Sequence, residues 1–171
     1  MLYLTYFFFI TLLFAVQTTV LDMVSVFGVT PDLALIFAVF CGINLPGSRG
    51  AIMGSLLGFI QDCLSGGLLG VNTLSKGLIS FFISSLKDKL ILENFIPISL
   101  FMAAAAFFDG MVYYMVMATL LKGEGYKEFL YSSLPLYVVY NALVGPLMFA
   151  FLKSNKQWFL RASPGRFSGL S

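Results

Sequence analysis

Apolar residues run along this chain in long continuous blocks, interrupted by short clusters of glycine, proline and charge. Alternating short segments would mark a membrane β-barrel, so the continuous runs predict α-helices instead. Six blocks emerge. The first covers about residues 2–21, close to the ~20 residues needed to cross a bilayer core. The second opens at Thr30-Pro31-Asp32 and runs to about residue 45; threonine reads as its N-cap, proline as its first helical residue and Asp32 as a first-turn acid favoured by the helix dipole. The third, about 50–64, reaches only ~22 Å before Ser65-Gly66-Gly67 breaks it. The fourth covers about 71–86, the fifth 95–121 and the sixth 131–152. Pro135, Asn141 and Gly145-Pro146 lie in the sixth, where a kink is expected.

Composition makes these blocks membrane helices. Hydrophobic residues are 59% of the 171 and charged residues 11%, less than half the ~25% charge of a typical soluble domain. The mean hydropathy is +0.93. The expected fold is an all-α integral membrane protein, a six-transmembrane-helix bundle over residues 1–152, followed by a basic tail at 153–171. The N-terminal block lacks the basic start and small-residue cleavage site of a signal peptide and reads as the first span. An even number of spans puts both termini on one side. With the termini in the cytoplasm, Arg49, Lys87, Lys89, Lys153, Lys156, Arg161 and Arg166 lie inside, while Lys122 and Lys127 lie outside beside Glu124 and Glu128. That bias is what the positive-inside rule predicts.

The third block carries the candidate chemistry. Gly50, Gly54 and Gly58 recur every four residues, and the same count reaches Asp62, Gly66 and Gly70. Such a row lets a neighbouring backbone approach closely. Asp62 falls ~18 Å along its helix, and a charge at that depth marks a functional site by default. Lys76 lies across the glycine turn and is the expected counter-ion; the pair is either a lock between the third and fourth helices or a polar cluster recognising a partner or a headgroup. Asp109, before Gly110 near the middle of the fifth block, is the more isolated charge. It reads as a neutral or hydrogen-bonded acid facing serine, tyrosine or asparagine, or as a functional group.

Several chemistries find no support. Histidine is absent, and with it the commonest general base. Cys41 and Cys63 have no close-spaced partner, so they read as reduced thiols rather than metal ligands. Ser84-Ser85-Leu86-Lys87 matches S-x-x-K without its K-T-G or S-D-N companions. A net charge of +2 is too small to imply nucleic-acid binding. Neither an enzyme nor a cofactor is expected.

At Thr30-Pro31-Asp32-Leu33, and again at Gly58-Phe59-Ile60-Gln61-Asp62-Cys63-Leu64-Ser65-Gly66 with Gly70 beyond, the chain resembles the bacterial rod shape-determining MreD family. The resemblance implies a non-catalytic subunit of the cell-elongation complex in the inner membrane. Its partners would be an MreC-like membrane protein and, indirectly, MreB filaments and peptidoglycan synthases. In this reading the small-residue faces of the third and fifth helices dock partner helices, and Pro31, Asp32, Gln61, Asp62 and Ser65 fix the architecture or an interface. The family is also similar in fold to the substrate-binding S-components of energy-coupling-factor vitamin transporters. That supplies an alternative, an outward pocket near Asp62, Asn72 and Lys76 holding a small ligand.

Overall fold

The computed structural model describes residues 25–45, 48–66, 69–86, 95–121 and 129–154, together with positions 11, 14, 15, 17 and 19. Those five positions are helical, within the expected first span. The rest of that span lies outside the described residues, as do Pro46-Gly47, Gly67, the charge clusters at 87–94 and 122–128, and the tail beyond 154. The described chain forms five further helices. They are α1 (Leu33–Asn44), α2 (Ser48–Ser65), α3 (Val71–Leu86), α4 (Phe95–Leu121) and α5 (Leu134–Ser154), the last preceded by a π-type turn at Phe129–Ser133. Two stretches, Phe95–Leu120 and Phe129–Ser154, are long and apolar enough to cross a membrane.

α1 is the central element. Every residue from Leu33 to Gly42 is buried, as expected of a helix that is apolar all round. Its start departs from expectation. Asp32, not Thr30, is the N-cap: its backbone is extended (φ −96°, ψ 99°) and its Oδ1 accepts from Leu35 N at 2.9 Å. A carboxylate bonds directly to a free first-turn amide, so the helix begins two residues later than the proline signal suggests. Gln17, in the expected first span, accepts a further bond at its Oε1 from Ala34 N, at 3.3 Å. Upstream, Val26 and Val29 exchange two backbone bonds of 3.0 Å across a tight turn that leaves Phe27 exposed.

α2 and α3 form the most closely packed pair. Gly50, Gly54 and Gly58 are buried along one face of α2. A Cβ built on Gly54 would lie 2.5 Å from the Lys76 carbonyl oxygen; on Gly58 it would lie 2.7 Å from Thr73 Cα. Only hydrogen fits there, because the obstacles are backbone atoms. Gly77 of α3 in turn faces the Ser55 side chain, and Ser80 Oγ donates to the Ala38 carbonyl of α1 at 2.8 Å. The glycine row is therefore covered by α3 of the same chain and is not a free face for a partner helix.

α4 and α5 form the second pair. Ser99 Oγ donates to the Ala142 carbonyl at 2.6 Å, and Met102 packs over Gly145. Ala105 and Ala106 are buried here while Ala104 is exposed, so the alanine run on this helix is also largely used within the chain. Phe149 of α5 meets Phe40 of α1 edge to face, with ring centroids 5.3 Å apart, an arrangement aromatic quadrupoles favour.

Candidate functional site: a buried ion cluster beside an acid-lined cavity

Lys76 is fully buried on α3. Its ammonium lies 2.9 Å from Asp32 Oδ2 at the head of α1 and 3.4 Å from Asp109 Oδ1 on α4. It also donates to Asn72 Oδ1 at 2.9 Å, one turn earlier on α3. The expected pairing with Asp62 is thus replaced by pairings with two carboxylates remote in sequence. Asp62 has another task. It accepts five bonds at the start of α3: from Gly70 N, Asn72 N, Thr73 N, Asn72 Nδ2 and Thr73 Oγ1, at 2.7–3.1 Å. These include amides that a helix N-terminus leaves unpaired, and the carboxylate complements the positive end of the helix dipole. Asn72 joins the two systems, donating to Asp62 while accepting from Lys76.

Asp109 is not isolated. Ser75 Oγ donates to its Oδ1, and the Tyr137 hydroxyl donates to its Oδ2 at 2.8 Å while lying 3.4 Å from Asp32 Oδ2. The serine and tyrosine partners are of the kinds anticipated for this acid. Asn141 Oδ1 accepts from Asp32 N at 2.9 Å, and Asn141 Nδ2 donates to the Tyr137 carbonyl at 2.9 Å. Gln61 Nε2 donates to Asp32 Oδ2 at 3.1 Å, while Gln61 Oε1 is buried without a hydrogen-bond partner among the described residues. Every helix from α1 to α5 contributes to one continuous polar network. Such a network satisfies buried charges that would otherwise be very costly.

The remaining candidates flank this network. Pro31 is fully buried ahead of Asp32. Gly66 (φ +61°) and Gly70 (φ +100°) supply the left-handed backbone that reverses the chain between α2 and α3, a conformation glycine adopts without a Cβ clash. Exposed Ser65 donates weakly, at 3.4 Å, to the Asp62 carbonyl oxygen. The sequence pattern marks Asn141 only as part of an expected kink and gives Tyr137 no role. Their four-residue spacing sets both polar groups on one face of an otherwise apolar helix, and that spacing was the available signal.

A cavity of about 330 Å³ opens beside the cluster. Asp32 and Asp109 line it together with Asn72 and the rings of Tyr113, Phe129 and Tyr137. Among the described residues, no group of three or more histidine, cysteine or acidic side chains is placed to hold a metal ion.

Fold and site together define an all-helical membrane protein whose helices are pinned by a buried ion cluster. The family model for rod shape-determining protein MreD matches residues 1–155. The chain belongs to the MreD family, and with it to the proteins that determine rod shape in bacteria. No curated protein and no solved structure matches the chain.

Proposed function

We propose that this protein is a non-catalytic subunit of the cell-elongation complex, binding an MreC-like membrane partner and through it reaching MreB filaments and peptidoglycan synthases. One observation carries the non-catalytic part. Lys76, Asp32 and Asp109, the groups that acid–base chemistry would need, each hold another helix in place, and the hydroxyls in their network, Ser75 and Tyr137, are engaged as donors to Asp109. A cluster built this way sets the relative positions of five helices, which is what a docking scaffold needs. Family membership supports the cellular role. We place the chain in the bacterial inner membrane as a six-span domain over residues 1–152, with cytoplasmic termini and a basic cytoplasmic tail at 153–171.

In this reading Pro31, Asp32, Gly54, Gly58, Gln61, Asp62, Ser65, Gly66, Gly70, Lys76 and Asp109 are structural or interface residues. The cavity favours a second reading, capture of a small ligand in the manner of a transporter S-component. Affinity capture of the tagged full chain from bacterial membranes, followed by mass spectrometry, separates them. Recovery of an MreC-like protein is expected for the scaffold, and a stoichiometric bound vitamin without that protein would overturn it. Asp62→Ala should disturb cell shape or complex assembly; normal rods and normal assembly with this variant would count against Asp62 as an organiser.

A further inference from the structure

The cavity has a chemistry of its own. Two carboxylates, Asp32 and Asp109, share one ammonium, Lys76, so at formal charges the cluster keeps one negative charge uncompensated. Both carboxylates line the cavity, whereas Lys76 is sealed away behind them with no exposed surface. Whatever enters therefore meets the negative side of the cluster.

The walls suit a cation as well. Tyr113 and Phe129 both line the cavity, with ring centroids 5.2 Å apart and planes tilted by 53°, and Tyr137 adds a third ring. Aromatic faces attract ammonium and guanidinium groups, most strongly where water is excluded. Met117 and Val71 complete an apolar lining. From Asp109 to Met117 is eight residues of α4, or ~12 Å. The cavity thus joins an acidic end to a wall able to hold an alkyl stem.

We propose that this cavity is a binding site for an alkylammonium group, its charge at Asp32 and Asp109 and its stem against Tyr113, Phe129 and Met117. The cation is either a free amine or the headgroup of an aminophospholipid, since both present the same ammonium. The proposal is independent of complex formation: amine binding can fail while capture of a partner succeeds, and the reverse.

The test uses the full chain in nanodiscs of phosphatidylglycerol, with the thermal unfolding midpoint followed against n-butylammonium chloride. Sodium chloride at equal ionic strength and n-butanol are the controls. A saturable rise with n-butylammonium above both controls is expected. Asp109→Asn should weaken the apparent affinity by roughly tenfold or more, the scale of a lost charge-assisted bond. Because that variant also loosens the cluster, Tyr113→Leu gives a second reading: it leaves every bond of the cluster intact and should weaken binding by about threefold, as the loss of one cation–π contact would. The same titration in nanodiscs containing phosphatidylethanolamine identifies the source. A midpoint already raised there, with little further response to n-butylammonium, identifies the lipid headgroup; an unchanged response identifies the free amine. Equal shifts with n-butylammonium and sodium chloride, in both lipids, would overturn the proposal, as would full binding by Tyr113→Leu and Asp109→Asn together.

Discussion

Lys76→Met keeps the unbranched stem of the side chain and removes its ammonium. The stem is well packed, since Lys76 is fully buried, so the substitution opens little space. What changes is electrostatic. Asp32 loses a partner at 2.9 Å, Asp109 one at 3.4 Å, and Asn72 Oδ1 a donor at 2.9 Å. Removing one member of a buried ion pair typically costs about 3–5 kcal/mol, and here one ammonium serves two carboxylates. The remaining bonds soften the loss: Asp32 keeps Leu35 N and Gln61, and Asp109 keeps Ser75 and Tyr137. A destabilisation of about 3 kcal/mol, the low end of that range, is therefore expected. Adding Asp109→Asn to Lys76→Met should recover part of it, because one of the two stranded carboxylates is gone. Reversible unfolding of both variants in mixed micelles, with the single Asp109→Asn variant completing a double-mutant cycle, measures this. A Lys76→Met protein within about 0.5 kcal/mol of the native one, the range of ordinary surface substitutions, would refute the claim that the cluster holds the helices together.

Gly58→Ala places a methyl 2.5 Å from the Asn72 carbonyl carbon and 2.7 Å from Thr73 Cα, so α2 and α3 must separate. A loss of about 1–3 kcal/mol is expected in the same unfolding assay, and native stability would remove the close-packing argument. Asp62→Ala strips the cap from α3, at a cost of about 1–2 kcal/mol, and should speed hydrogen exchange at Gly70, Asn72 and Thr73 above all other amides. Uniform exchange would show that Asp62 acts elsewhere. Cys63 is exposed and Cys41 is buried, so a membrane-permeant maleimide should label Cys63 alone in the folded protein. Fast labelling of Cys41 would contradict the central position of α1.

Element boundaries were easier to read from sequence than partnerships. The fourth and fifth blocks coincide with α3 and α4 because glycine and charge bracket both runs. Asp62 misled for a local reason. A carboxylate facing a lysine across a short turn invites an ion pair, yet the turn also brings up the unpaired amides of α3, and these lie nearer than the ammonium. The true partners of Lys76 are 44 residues back, at Asp32, and 33 residues on, at Asp109. Helical periodicity tells which face a residue occupies but not which helix lies opposite, so that pairing was beyond reach. The glycine row showed that a backbone would come close; only the structure showed that it belongs to α3 of the same chain. Tyr137 and Asn141 carried a legible four-residue spacing, but their polar partners are on α1 and α4. The cavity depends on all of these placements at once.

The position of Lys76 also has a consequence for biogenesis. In the proposed six-span arrangement α3 must enter the membrane carrying a lysine, an asparagine, a threonine and four serines within 16 residues. A lysine near the centre of a spanning helix costs about 2.5–3.5 kcal/mol at the translocon, and α3 is not among the helices that qualify as spans by their own length and apolarity. When it emerges from the ribosome Asp32 and Asp62 already exist, but Asp109 and Tyr137 are still to be made. Insertion should therefore proceed with α2 and α3 entering as a hairpin, held by the glycine contact and the Asp62 cap, and the ion cluster closing only once α4 and α5 arrive. Glycosylation mapping of chains ending at residue 94 checks this order: α3 should insert efficiently with wild-type α2 and poorly with Gly58→Leu. Equal insertion of the two would mean that α3 enters unaided.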